Sequence, residues 1–267
     1  MNKKYFLSTG ESDYERLSLL SKLYNPLALS FLMDSGLKPG MTVLEVGCGS
    51  GHMACDLARL VGSKGKVIAI DSSESQIEMA KKTAEDLGVD NIDFYVCDVF
   101  DLDKLGLSYD ATYGRWVIEF SQQPAKALQN MYQHLKAGGI LCYEAMSVRP
   151  GSYFIYPQTS LVEDWFTVAR KIFSVHGYNV LLGNEVPHQL RALNCKEIKA
   201  KTNQAILLTA EEKSLYRLGL YAVKESILNN KILSAQEIDA FCDKLVDFEN
   251  SDAISGFYSN IIVSGIK

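Results

Sequence analysis

The residues best placed to do chemistry lie in a glycine-rich run between an apolar segment and a helical pattern. The run VLEVGCGSGHMACDLARL contains Gly47, Gly49 and Gly51, and it predicts a strand, a tight turn and a helix. A turn that holds a dinucleotide needs its third glycine three residues after the second, where this chain has His52. A phosphate-binding loop needs a Gly-Lys pair followed by Ser or Thr, and none follows here. Neither phosphate pattern fits well.

Two acidic residues follow the next two apolar segments. Asp71 ends the segment KVIAID, and Asp98 lies in the CDV that ends the segment after it. A carboxylate at the carboxyl end of a strand can accept hydrogen bonds from the hydroxyl groups of a ligand. It can also cap a helix, and a helix is expected to begin near Ser73. Both roles stay open for both acids.

Short apolar segments alternate with helical patterns through the first half of the chain. Strands are predicted for TVLEVG, KVIAID, NIDFYVCDV, YDATYGRWVI and ILCYEAM, and helices for 53–61, 73–87 and 123–135. This alternation is typical of a parallel sheet whose strands are joined by crossover helices. Five parallel strands are therefore expected by Met146.

The segments on either side of this region follow other patterns. Apolar residues at helical spacing between 12 and 35 are interrupted by Pro26, which predicts two short helices or one kinked helix. After Pro150, helices are expected over 160–175 and 211–249, with an extended segment at 198–208 and a final strand in FYSNIIVSGI.

Composition narrows the classes of function. The chain has 267 residues, 47% of them hydrophobic, and 27 basic against 32 acidic residues. It can bury a large core, and the acidic balance argues against a broad nucleic-acid surface. The six cysteines show no metal-ligand spacing, so no metal is expected. With no signal peptide and no apolar run long enough to span a membrane, a soluble cytoplasmic protein is expected, and a homodimer is left open.

The run EVGCGSG resembles motif I of the class I S-adenosylmethionine-dependent methyltransferases. The resemblance implies a Rossmann-like α/β fold with a seven-stranded, mostly parallel sheet in the order 3-2-1-4-5-7-6, its last strand antiparallel, and with helical lid insertions. It implies three parts: an N-terminal helical cap (1–36), a cofactor-binding core (37–148), and lid insertions with the strands that complete the core (149–267). S-adenosylmethionine is the implied cofactor and S-adenosylhomocysteine the product.

The resemblance also assigns cofactor contacts. In the family, the acid at the end of the second strand, Asp71 here, binds the ribose hydroxyls. The third strand ends at the adenine, and the segment after the fourth strand, GRWVIEF here, lines the methionine end. For Arg115, a surface salt bridge is the alternative. The residues carried over from the core are Glu45, Gly47, Cys48, Gly49, Gly51, Asp71, Ser72, Gln76, Cys97, Asp98, Val99, Arg115 and Trp116.

The segment from Tyr5 to Leu17 is similar to the N-terminal segment of a subgroup of small-molecule methyltransferases. In that subgroup the segment folds over the cofactor. The similarity therefore implies that Tyr5 and Arg16 contact the cofactor, although Tyr5 could instead pack on a helix face.

The helices expected after Pro150 are the best indication of the methyl acceptor. Their aromatic residues, Tyr153, Phe154, Tyr156, Trp165, Phe166, Tyr216 and Tyr221, could roof the cleft over a flat or apolar small molecule, or could form the core of the lid. A general base would come from His52, His134, His176 or His188, and His176 and His188 are the weak catalytic candidates because they lie in the added region.

Three functions stay open. The favoured one is a methyltransferase acting on a small, hydrophobic or aromatic acceptor. The others are a nucleic-acid or protein methyltransferase and a module that binds the cofactor without chemistry. Nucleic acid is the weaker partner because GRWV stands where an N-P-P-Y type motif would hold a flipped base. An enclosed pocket would favour the small molecule, and an open groove the macromolecule.

Overall fold

The computed structural model of the protein describes residues 13–267, so Tyr5 lies outside the described residues. The sheet strands are β1 (Thr42–Val46), β2 (Lys66–Asp71), β3 (Ile92–Val96), β4 (Tyr109–Arg115), β5 (Leu135–Met146), β6 (Phe154–Tyr156), β7 (Lys196–Leu207) and β8 (Ile254–Ile266). The first five strands run parallel, as the alternating pattern predicted.

The helices are α1 (Tyr14–Asp34), α2 (His52–Val61), α3 (Glu74–Asp86), α4 (Pro124–Gln133), α5 (Leu161–His176), α6 (Val186–Ala192), α7 (Ala210–Lys213), α8 (Leu215–Ala222), α9 (Lys224–Asn229) and α10 (Ala235–Glu249). Short 3-10 helices lie at Val99–Leu105, Ile118–Phe120 and Leu182–Asn184. Of the two arrangements open for the N-terminal pattern, the structure shows one helix, α1, with Pro26 inside it.

The sheet has the order β3-β2-β1-β4-β5-β8-β6, and β7 pairs with β8. Strand β8 is antiparallel to β5 and takes the place of strand 7 in the expected order 3-2-1-4-5-7-6, and β7 takes the place of strand 6. The eighth strand, β6, was not expected. It pairs with 254–256, beyond the stretch of β8 that pairs with β5. The predicted fold is confirmed, with this one short addition.

The region predicted as helical over 211–249 is divided into four helices. Two capping boxes begin α7 and α10: Thr209 with Glu212, and Ser234 with Glu237. In each, the hydroxyl accepts from a backbone amide while the glutamate accepts from the cap amide, which satisfies groups that a helix start leaves exposed. The patterns T-x-x-E and S-x-x-E are visible in the sequence and mark these starts.

Three apolar clusters hold the fold together. Helices α1, α2 and α3 pack on one face of the sheet, and α4 and α6 pack on the other. A third cluster joins α5, α8 and α10 to the far end of the sheet. The lid helices are therefore packed through their own core onto the same sheet that carries the glycine turn.

Gly51 lets α2 and α3 approach closely. Its φ is 80°, and a Cβ there would lie 2.8 Å from the Cβ of Ala80 and 2.9 Å from its Cα. Residues other than glycine are strained at such φ values, and the backbone of Ala80 cannot move aside as the end of a flexible side chain can. The position is closed to a side chain on two independent grounds.

Gly51→Ala should therefore lower the free energy of unfolding by about 2–5 kcal/mol, since the left-handed backbone costs about 1–2 kcal/mol and overpacking adds about 1–3 kcal/mol. Gly88→Ala is the matched control, because Gly88 has φ 63° and open space around its Cβ position. In Gly88→Ala the free energy of unfolding should fall only by the cost of the left-handed backbone, about 1–2 kcal/mol. Urea denaturation measures both, and equal losses in the two variants would contradict the packing role of Gly51.

Candidate functional site

A cleft of about 650 Å³ lies at the carboxyl ends of the parallel strands. The turn after β1, the end of β2 and the segments after β3 and β4 form one side of it, and α5, α8 and β8 form the other. Ligands bind at this edge of open α/β sheets because the strand order reverses there and leaves a crevice. The helices placed after β5 close that crevice from above.

The glycine turn reaches the cleft with Gly47 and Gly49. The φ of Gly47 is 69° and a Cβ there would lie 2.1 Å from Cγ2 of Val117, whereas the nearest neighbour of a Cβ at Gly49 is Leu17, at 3.6 Å. Gly51 does not line the cleft. Glycine is therefore required at the three positions for different reasons. At Gly47 and Gly51 a side chain would collide with packed neighbours, whereas at Gly49 the missing side chain leaves room beside the cleft.

Asp71 ties the glycine turn to α3. Its Oδ2 accepts from the amide of Gly49 at 3.1 Å, and its Oδ1 accepts from the amide of Ser73 at 2.9 Å. Burial raises the pKa of Asp71, against which these amide bonds act. The helix cap itself is Ser73, whose hydroxyl accepts from Gln76 at 3.4 Å. Asp71 lines the cleft while it orders the turn.

The end of β3 gives a similar picture. Asp98 Oδ1 accepts from the amide of Phe100 at 3.0 Å and so caps the following 3-10 helix. Asp98 and Val99 nevertheless line the cleft, as do Cys97, Ser72, Gln76 and Cys48. Capping and cleft lining coexist at both acids, so the two interpretations of the sequence do not exclude each other.

Arg115 lies inside the protein, not in a surface salt bridge. Its Nη2 donates to Oδ1 of Asn25 at 2.9 Å, and its Nη1 lies 3.7 Å from Oε2 of Glu144. Nη1 is buried with no hydrogen-bond partner among the described residues, and Oε2 of Glu45 is in the same condition. Buried polar atoms are nearly always paired. Two unpaired ones in a cleft point to a ligand that has both a donor and an acceptor group.

Trp116 forms the wall beside Arg115 in a conformation that few residues other than glycine adopt. Its φ is 54°. Its indole Nε1 donates to Oδ1 of Asn260 at 2.9 Å, and its ring meets those of Tyr24 and Tyr258 edge-on. Strained backbone persists where surrounding contacts determine it. The indole is thus fixed from two sides where it borders the cleft.

The aromatic residues predicted for the roof divide between the two roles left open. Trp165 lines the cleft, whereas Tyr153 stacks on Phe166 with ring centres 3.7 Å apart and Tyr216 is fully buried. Phe154, Tyr156 and Tyr221 are exposed. Most of them are therefore lid core or surface. Phe120 lines the cleft as part of the segment GRWVIEF that was expected there. The cleft-lining aromatic residues that the sequence did not indicate are Phe100, Tyr113, Phe173, Tyr178, Phe257 and Tyr258.

None of the four histidines lines the cleft in the described structure. His52 pairs with the hydroxyl of Ser50 at 2.9 Å. His134 lies 3.2 Å from Asp103, and His176 lies 2.8 Å from the hydroxyl of Ser226. His188 is on α6. His176 and His188 do not line the cleft, although the ring of His176 stacks on that of cleft-lining Tyr178 with centres 5.5 Å apart.

The start of α1 covers the glycine turn. Arg16 lines the cleft and donates to both carboxylate oxygens of Asp13, at 2.7 and 2.6 Å.

Within residues 13–267 no group of three or more His, Cys, Asp or Glu side chains is arranged to hold a metal ion. No helix in the same range is long and apolar enough to cross a membrane.

Comparison with known proteins agrees with this geometry. A family model described as a methyltransferase domain matches residues 37–215. Aklanonic acid methyltransferase of Streptomyces sp. is 30% identical over 148 residues, 55% of this chain and 66% of the relative. The ubiquinone/menaquinone biosynthesis C-methyltransferase of Escherichia fergusonii is 31% identical over 113 residues, 42% of this chain and 45% of the relative.

Among solved structures, the YcgJ protein of Bacillus subtilis is similar with a TM-score of 0.58 and 18% identity, over 90% of this chain and 97% of that one. That similarity concerns the fold. The aligned stretches span from 30% to 66% of the length of the curated relatives compared.

Replacing Asp71 tests the ribose assignment. Asp71→Ala should weaken binding of S-adenosylhomocysteine by about 1–3 kcal/mol, because hydroxyl donors would lose their charged acceptor. Asp86→Ala, at the end of α3 that lies farther from Asp71, is the control and should bind as the wild type does. Calorimetric titration measures both affinities. An unchanged affinity in Asp71→Ala would refute the assignment.

The buried carboxyl of Glu45 should make stability depend on pH. Burial raises its pKa from 4.5 to about 8, so the folded state holds a proton that the unfolded state releases between these values. The contribution of Glu45 to the free energy of unfolding is therefore highest below pH 4.5, where Glu45 is protonated in both states, and it falls as the pH rises from there through about 8. Glu45→Gln, which mimics the protonated form, should gain about 2–4 kcal/mol relative to wild type between pH 5 and pH 8, at 1.36 kcal/mol per pKa unit discounted for relaxation.

Urea denaturation of both proteins at several pH values gives this difference directly. Groups far from Glu45 titrate alike in the two proteins and cancel from the comparison. Parallel stability curves for wild type and Glu45→Gln would show that Glu45 is ionised in the folded protein.

Proposed function

The chain belongs to the class I S-adenosylmethionine-dependent methyltransferases, and from that premise we propose that it methylates a small, apolar or aromatic acceptor held under its helical lid. The observation that carries the proposal is the roofed cleft. One half is polar and built from strand ends, and the other is apolar and built from α5, α8 and β8. The cofactor belongs in the first half and the acceptor in the second.

The polar half suits the chemical groups of S-adenosylmethionine. Its amino-acid end has an ammonium and a carboxylate, for which the unpaired Oε2 of Glu45 and Nη1 of Arg115 offer an acceptor and a donor. Asp71 would accept from the ribose hydroxyls. Asp98 and Val99 would lie against the adenine, which has an amine donor and a flat apolar ring. When bound, the cofactor supplies an electrophilic methyl group.

The protein's own part is to align the acceptor and to exclude water. Leu17 lies over the glycine turn, and Trp165, Ile172 and Phe173 close the cleft from the roof. Such an apolar roof suits a small molecule that enters it whole. A nucleic acid or a protein would need an open groove instead. Segment 1–36 then serves as a cap, 37–148 as the cofactor core and 149–267 as the lid with the strands that complete the sheet.

The relatives support the same class of acceptor. Two of them are named for aklanonic acid and for the quinones ubiquinone and menaquinone, which are small organic molecules. A cavity of about 650 Å³ lies within the range of about 300–1,000 Å³ that is usual for small-molecule sites.

Methylation with isotopically labelled cofactor tests the proposal. Incubation with a library of small aromatic and apolar acids should put label into a small molecule. In a parallel incubation with a cell extract, label in protein or RNA would favour the macromolecular alternative. Val223→Trp, which fills the roof half, should reduce transfer about tenfold or more, equivalent to about 1.4 kcal/mol, and leave affinity for S-adenosylhomocysteine unchanged. Cofactor binding without transfer to any acceptor would identify a binding module.

A further inference from the structure

Among residues 13–267, those that line the apolar half of the cleft include almost no titratable side chains. We call this half the acceptor chamber, and define it by Phe120, Met146, Trp165, Val168, Ile172, Phe173, Tyr178, Leu220, Phe257 and Tyr258. Among these residues, as among the other described residues that line the roof, there is no imidazole, amine or carboxyl group. The titratable groups of the chamber are two phenols.

These phenols are poor bases at neutral pH. Burial raises the pKa of Tyr178 and that of Tyr258, so both stay protonated there. Tyr258 contacts the rings of Trp116 and Trp165, with ring centres 5.6 and 5.7 Å apart, and so lies where the two halves of the cleft meet. A buried phenol can donate a hydrogen bond to an acceptor molecule without removing its proton.

The two arginines that border the chamber each lie beside a carboxylate of the protein. The Nη1 of Arg115 lies 3.7 Å from the fully buried Glu144, and Nη2 of Arg16 lies 2.6 Å from a carboxylate oxygen of Asp13. Asp13 gives both its carboxylate oxygens to Arg16, which leaves it ill placed to take a proton. Glu45 and the unpaired Nη1 of Arg115 lie in the polar half, where they are assigned to the amino-acid end of the cofactor. The described residues of the chamber therefore offer an acceptor neither a carboxylate, amine or imidazole base nor a fixed countercharge.

We propose, on the basis of the proposed function, that the acceptor is a flat, apolar acid whose methyl-accepting atom is already ionised at neutral pH, such as an acidic carbon or an acidic phenol. The acceptor anion gives its electron pair to the methyl carbon, and the pair of the broken methyl–sulfur bond stays on sulfur. An anion and a sulfonium become two neutral molecules. No proton remains for the protein to remove.

The apolar lining favours such a pair of reactants. The attraction between opposite charges increases as the local dielectric constant falls, and apolar walls keep water from screening it. Because the chamber lacks a cation of its own, an anionic acceptor should depend on the positive charge of the methyl donor for its affinity. A neutral acceptor of the same size should show no such dependence.

Calorimetric titration distinguishes an anionic from a neutral acceptor without turnover. It uses two acceptor probes and two analogues of the cofactor. 4-Hydroxycoumarin is flat and ionised at neutral pH, whereas 2-naphthol is flat and neutral there. Each is titrated into protein loaded with sinefungin, which has an ammonium in place of the sulfonium, and into protein loaded with S-adenosylhomocysteine, which is neutral at that atom. 4-Hydroxycoumarin should bind about tenfold more tightly beside sinefungin, and 2-naphthol equally beside both.

Variants at Val168 locate the probe. Val168→Asp should weaken 4-hydroxycoumarin about tenfold relative to Val168→Asn, which has the same shape without the charge, and neither should alter affinity for S-adenosylhomocysteine. Thermal unfolding checks that both variants fold. The comparison of sinefungin with S-adenosylhomocysteine in the wild-type protein does not depend on these variants. Equal affinity of 4-hydroxycoumarin beside sinefungin and S-adenosylhomocysteine would overturn the proposal. Failure of both cofactor analogues to bind would instead overturn the proposed function.

Discussion

The buried carboxylate of Glu144 is the interaction around which the site is arranged. It has no exposed surface, and it accepts hydrogen bonds from Tyr113 at 2.9 Å, Asn203 at 2.8 Å and Asn260 at 3.0 Å. A buried charge is tolerated only when it is paired and hydrogen-bonded. These partners come from β4, β7 and β8, so one carboxylate on β5 ties together the strands on both sides of it.

The satisfied carboxylate positions the wall of the cleft. Asn260 uses its amide nitrogen on Glu144 and its oxygen on the indole of Trp116, which links the interior network to a residue with strained backbone. A second buried network continues the wall. The hydroxyl of Tyr143 accepts from the amides of Val117 and Ile118, both at 2.8 Å, and donates to Glu119 at 2.7 Å. The segment after β4 is thereby rigid where it borders the cleft.

Local patterns in the sequence were enough for the parallel half of the sheet, and the resemblance to motif I pointed to the residues that line the polar half of the cleft. Apolar segments that alternate with helices predict the strand ends, and Asp71 and Asp98 lie on those ends. The acceptor half was not predictable in the same way. Tyr258 reaches the cleft only because β8 inserts between β5 and β7, and no local pattern encodes that long-range pairing. Gly51 shows a related limit, since its spacing fits ligand approach while its contacts are with Ala80.

The placement of the two tryptophans has a practical consequence. The sequence contains two tryptophans, and both line the cleft, Trp116 on the wall and Trp165 on the roof. Indole emission depends on the polarity and the electronic properties of its surroundings. The tryptophan fluorescence of the unmodified protein, excited at wavelengths that its 14 tyrosines do not absorb, therefore comes from the site itself. A ligand that enters either half changes that emission, and the protein is its own optical sensor of occupancy.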